Sequence, residues 1–167
     1  GGSKSFGGAI NNAGVLVGTA DLANNHGSHA VRWQQGMATD LGTLGGFNSN
    51  AYGINDQGQV AGNADLADGN THAALWQGSG VIDLGTLGGS FSEAYAINNA
   101  AQAVGFSLTS GDASAHATLW QNGQILDLGT LGGFSEAAAI NNAGQIVGFS
   151  EISEGGPVHA VLWQNGQ

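Results

Sequence analysis

The chain contains no cysteine, a single proline and only two basic residues, Lys4 and Arg32. The absence of cysteine excludes a disulfide framework and thiol chemistry, so stability must come from burial and hydrogen bonding. Two cations against twelve carboxylates give a formal charge of −10, which repels nucleic acid and anionic lipid and argues against any polyanionic partner. There is no run of eighteen apolar residues and no charged, apolar leader. The expectation is therefore a soluble chain with neither membrane insertion nor a signal peptide. What the chain does have is 31 glycines and 41% hydrophobic residues in a length of 167. That length suits one domain spanning residues 1–167. The glycines lack a collagen period and the apolar content is too high for disorder, so they are assigned to turns.

The sequence repeats itself, with a period near 43 residues and boundaries at 1–44, 45–87, 88–131 and 132–167. Isoleucine recurs at Ile10, Ile54, Ile97 and Ile140. The histidine of a His-Ala pair recurs at His29, His72, His116 and His159, and tryptophan follows each at Trp33, Trp76, Trp120 and Trp163. The segment Asp-Leu-Gly-Thr-Leu begins at Asp40, Asp83 and Asp127, and a fourth copy is missing.

Each unit holds four short β-type runs, which in the third unit are Glu93 to Asn98, Gln102 to Ser107, His116 to Trp120 and Gln124 to Leu128. Asn-Asn-Ala-Gly at Asn141 to Gly144 and Asn-Gly at Asn122-Gly123 supply residues tolerant of positive φ, which predicts antiparallel hairpins. Four antiparallel strands per repeat of this length predict an all-β, propeller-like fold of four blades, the last incomplete. The small first run, such as Ala137-Ala138-Ala139, suits an innermost strand where backbones crowd one axis. The alternative is a β-solenoid, which stacks its repeats along a line. Because the fourth unit lacks a fourth run, and Gly1 to Ser5 substitutes poorly for one, its last strand should carry an unfilled or intermolecularly paired edge, with a hairpin turn at Asn165-Gly166-Gln167 and no return strand.

His-Ala-x-Leu-Trp, then Asp-Leu-Gly-Thr-Leu-Gly-Gly, then Ala-Ile-Asn-Asn-x-Gly-Gln-x-Val-Gly together resemble the HAF-type extracellular repeat family of bacteria, over the whole chain. The resemblance implies an exported protein, extracellular or at the cell surface, and offers no catalytic residues to carry over. The chain departs from the pattern at Arg32, where other copies have leucine, at Ala101, where the turn glycine is lost, and at the missing fourth segment.

No nucleophile and base stand in a recognisable constellation, so the sequence reads as non-catalytic. The repeated histidines and tryptophans are assigned structural roles, each histidine satisfying a buried partner and each tryptophan filling a core. Asp40, Asp83 and Asp127 are expected to bond the backbone amides of a neighbouring turn. The less regular aromatics Tyr52, Tyr95, Phe47, Phe91 and Phe134 are the candidate ligand contacts. Asp65, Asp68 and Asn70 share one acidic loop whose spacing could give oxygen ligands to calcium, although the full EF-hand series is lacking. No other cofactor is expected. The leading functional expectation is a scaffold for protein binding or self-association, and the second is a glycan-binding module.

Overall fold

Turn chemistry sets the chain's path. A computed structural model describes residues 2–23 and 26–164 and is all-β apart from a 3-10 turn at Ser110–Asp112. Unit one forms the sheet β1 (Ser5–Ile10), β2 (Leu16–Asp21), β3 (Ser28–Gln34) and β4 (Met37–Asp40), in that order. Unit two forms β5 (Gly45–Ile54), β6 (Val60–Leu66), β7 (Thr71–Gln77) and β8 (Gly80–Gly85). Unit three forms β9 (Gly88–Ile97), β10 (Ala103–Thr109), β11 (Ala115–Gln121) and β12 (Gln124–Asp127). A parallel bridge from Thr71 to Phe91 joins these two meanders into one eight-stranded sheet. Unit four contributes β13 (Ser135–Ile140), β14 (Ile146–Glu151) and β15 (Val158–Trp163), a sheet of three strands among the described residues. Among the described residues no sheet closes on itself.

The hairpins follow from the local sequence. Asn122 and Gly123 both take positive φ, 52° and 72°, the primed turn that matches strand twist. At the turn between the first and second strands, Gly14, Gly58 and Gly144 sit at φ between 73° and 78°, and Ala101 is forced to 59° at the same place. A Cβ is disfavoured there by about 1–2 kcal/mol. Ala101→Gly should therefore stabilise the chain by up to about 1 kcal/mol once the added freedom of the unfolded chain is subtracted, read as a rise in melting temperature of about 2–4 °C.

Every first strand carries a β-bulge against the second. The register shifts between Gly7 and Ala9, Ala51 and Gly53, and Ala137 and Ala139. In unit three Ala96 and Ala94 face successive residues of β10, so Tyr95 is the extra residue. First strands also run past one another between units. A Cβ on Gly8 would lie 2.5 Å from the Ala51 carbonyl oxygen, and one on Gly53 would lie 3.0 Å from that of Tyr95. Only a residue without a side chain permits that approach.

The units pack in sequence, and no strand of the first packs extensively on the fourth. Each unit presents a far face to the unit after it and a near face to the unit before it. The three cores are three versions of one junction. Val17 and Ala30 meet Ala51, Val60 and Trp76. Ala61, Ala73 and Leu75 meet Ala94, Ala103 and Trp120. Val104, Ala117 and Leu119 meet Ala137, Ile146 and Trp163. A buried serine clips each junction: Ser49, Ser92 and Ser135 accept the amides of Ala30, Ala73 and Ala117, and donate to the carbonyls of Gly42, Gly85 and Gly129. Along one rim the Asn11, Asn55 and Asn98 side-chain amides donate to the backbone carbonyls of Asn55, Asn98 and Asn141.

β9 starts at Gly88, five residues before the expected run, because Gly88 pairs with Thr109 at the far end of β10. Unit four, whose sequence holds no copy of the fourth run, has three strands among the described residues. The N-terminal segment lies along β2 of its own unit, with Gly2 donating to Asp21 and Asp21 donating to Lys4, and not along β15. The turn expected at Asn165-Gly166-Gln167 lies outside the described residues.

Candidate functional site

The bulge positions one surface row. Lifted off the ladder, Tyr52 and Tyr95 lie with ring centroids 5.6 Å apart. The row continues from Tyr95 to Phe106 at 6.0 Å, from Phe106 to Phe91 at 5.7 Å and to Phe134 at 6.4 Å, and from Phe134 to Phe149 at 5.4 Å. These separations and tilts lie in the favourable range for ring pairs. Four of the five aromatics singled out from the sequence are thus brought together, through Phe106. Phe47 is not among them: it is 79% exposed and packs on no ring.

Glu93 anchors the row. It accepts Asn63 Nδ2 at 2.6 Å and the Tyr95 hydroxyl at 2.8 Å, with the Tyr52 hydroxyl at 3.4 Å. Upstream, Asn50 donates to Asn63 at 3.0 Å and accepts from Thr19 at 3.0 Å. Burial first, and then the Glu93 carboxylate and the bonds to it, push both tyrosine hydroxyls far above their ordinary range. They stay protonated as donors to Glu93, so what they offer a ligand is ring face.

Glu136, equivalent to Glu93 in unit four, accepts no such donors. Burial, then repulsion from Glu93, raise its pKa. A raised folded-state value means that the fold favours the protonated acid; stability is full below the ordinary carboxylate range and is lost as pH rises through the raised value. Glu136→Gln should therefore raise the melting temperature at pH 7 by about 1–2 °C, a small effect because solvent screens a half-exposed carboxylate. The gain should vanish near pH 3.5 in a thermal-melt series.

The other candidates have separate tasks. His29, His72 and His116 turn Nδ1 to Asp40, Asp83 and Asp127 at 2.8 to 2.9 Å. The same aspartates accept the amides of Gly42, Gly85 and Gly129. These histidine partners lie at the surface, not in the interior as the sequence suggested: Asp40 is 52% exposed. The reason is that β4, β8 and β12 are the outer strands, each hydrogen-bonded only to the third strand of its own unit among the described residues. His159 has no equivalent aspartate among the described residues. Trp76, Trp120 and Trp163 are buried, whereas Trp33, on the uncovered near face of unit one, is partly exposed. Trp163 donates its indole N–H to Leu128 at 3.0 Å, and those of Trp76 and Trp120 have no acceptor.

In the acidic loop, Asp65 accepts from Asn48 and Thr71, and Asp68 accepts from Asn70. The two carboxylates are thus directed to different partners, and no cluster of three or more His, Cys, Asp or Glu side chains with metal-holding geometry occurs among the described residues. On the rim, side-chain bonds from Asn99 and then Asn12 hold the Asp56 carboxyl below its ordinary range. No described helix is long and apolar enough to cross a membrane.

Sequence reading missed Glu93, Glu136, Asn63, Phe106 and Phe149. The only signal was variability: the position after the second-strand glycine reads Thr19, Asn63, Phe106, Phe149, against a constant frame. No protein-family model matches the chain, and no curated protein is significantly similar to it.

Proposed function

We propose that the chain is a non-catalytic, extracellular bacterial repeat scaffold, propeller-like in plan, that binds a protein partner or other copies of itself. The observation that carries this reading is the repetition of one junction three times along the chain. Such a frame is rigid and modular, and its variable loops are free for contact. The resemblance to HAF-type repeats supports export, and the reading calls on no cofactor. Its test is to append Ile-Leu-Asp-Leu-Gly-Thr-Leu after Gln167, supplying a fourth strand for β15 and an aspartate for His159. The expected result is a higher melting temperature and less pairing along the β15 edge. If neither changes, the four-stranded blade is wrong.

A second reading, glycan binding, draws on the ring row from Tyr52 to Phe149, where ring faces lie beside carboxylate acceptors. A glycan array decides it. Saturable sugar binding abolished by Tyr52→Ala or Tyr95→Ala would favour this reading over the first.

A further inference from the structure

We infer that the first turns of the four units together form a binding site for a protonated primary amine, with Asp56 as the group that meets its charge. The residues that lead from the first strand into that turn, 10–12, 54–56, 97–99 and 140–142, line one common cavity of about 330 Å³. That volume lies at the lower end of the range for small-ligand sites. Two ladders of hydrogen bonds between units set its wall. In one, the amides of Asn12, Asp56 and Asn99 donate to the side-chain oxygens of Asp56, Asn99 and Asn142, at 3.2, 3.0 and 2.9 Å. The other is the rim of side-chain amides that runs from Asn11 to Asn141. A wall tied in this way is organised before a ligand arrives. Ile54, Ile97 and Ile140 pack on the junction cores, so what the cavity offers is amide and carboxylate.

Charge selects the ligand. The place that Asn12, Asn99 and Asn142 hold in their units is taken in unit two by Asp56, so the wall carries a single negative charge. Lys4 and Arg32, the only basic residues of the chain, do not line the cavity. The carboxylate is met by neutral donors: Asn12 Nδ2 bridges both of its oxygens at 2.9 and 3.0 Å, and Asn99 Nδ2 reaches one of them at 3.0 Å. These bonds favour the ionised form without neutralising it, and the side chain is exposed to an incoming cation. The geometry also says which cation. With Asn12 across both oxygens, the two-pronged approach of a guanidinium is already occupied, whereas an ammonium is a point charge that needs one lone pair and keeps water on its other hydrogens. Calcium asks for six to eight oxygens. Here the Oδ1 atoms of Asn55 and Asn98 each accept two amides of their own turn, and those of Asn99 and Asn142 face the amide of the unit before.

The experiment is an NMR titration of the isotope-labelled whole chain with n-butylammonium chloride at constant ionic strength, following the side-chain amide signals of Asn12 and Asn99. Those signals should move saturably, with a dissociation constant of about 1–10 mM for one exposed charge contact. Butylguanidinium should bind several-fold more weakly, and neutral n-butanol should leave the signals in place. Asp56→Asn puts in unit two the residue that the other units hold there, so it should fold, and it should weaken amine binding about tenfold or more. Asn142→Asp keeps the oxygen that accepts the Asn99 amide, adds a second charge to the wall and should tighten binding. A capped Gly-Lys-Gly peptide distinguishes the sources of the amine. Tighter binding than butylammonium assigns it to a lysine of a protein partner, and weaker binding to a free small molecule. The absence of a saturable shift overturns the inference, as does a shift that survives Asp56→Asn. A shift that calcium chloride reproduces at equal ionic strength overturns it too, and would assign the cavity to an inorganic cation.

Discussion

Replacing Trp120 with alanine is expected to cost about 3–5 kcal/mol, a large part of the stability of an ordinary domain. Trp120 is 2% exposed and fills the junction between units two and three, against Ala61, Ala73 and Leu75. Those neighbours belong to strands fixed by pairing within their own sheets, so the void cannot collapse. The indole N–H sharpens the test. Because that of Trp120 is buried without an acceptor, Trp120→Phe removes an unsatisfied donor together with some packing, whereas Trp163→Phe loses a hydrogen bond to Leu128 and strands the carbonyl. Denaturant midpoints should show the Phe variant at 120 to be the milder of the two. A loss below about 1 kcal/mol for Trp120→Ala would mean that the junction does not carry the fold.

The second large effect is expected at Gly105, where alanine should cost about 3 kcal/mol or more. A Cβ built there overlaps the carbonyl oxygen of Glu93 and approaches Cα of Ala94. Both atoms belong to the β9 backbone at the bulge, so relief requires shifting the strand that carries Glu93 and Tyr95. Gly18, Gly62 and Gly148 meet the carbonyls of Phe6, Asn50 and Glu136 in the same way. By contrast, alanine at Gly80, where the nearest atom is 3.9 Å away and φ is ordinary, should change the melting temperature little. Paired thermal melts of the two variants would separate backbone crowding from a general loss of glycine.

That second-strand glycine marks where the sequence was legible and where it was not. The repeat period, the hairpin at Asn122-Gly123 and a third strand that carries the histidine and the tryptophan could be read, because each depends on residues close in sequence or on a repeated pattern. The bulge could not. It arises because the second-strand glycine lets the first strand close in, and the alternation of Ala94-Tyr95-Ala96 looks the same with or without it. The row built on Glu93 was hidden for a related reason: its members come from three units, so no single repeat displays it. Phe47 misled because it is aromatic and near the right strand, yet its side chain stands clear of the other rings. The histidine partners were placed too deep because pairing alone does not tell an outer strand from a covered one.

The order of the junctions has a consequence for how the molecule comes apart. Since each unit packs substantially only on its neighbours, the free energy is close to a sum of four intrinsic contributions and three couplings, as in a one-dimensional chain of interacting sites. Unit four has one coupling and three described strands, so it should open first, and the amides of β14 and β15 should exchange with solvent ahead of those in β6 and β10. A defect at the middle coupling, such as the loss of Trp120, would divide the chain into two pairs and turn a single cooperative transition into two.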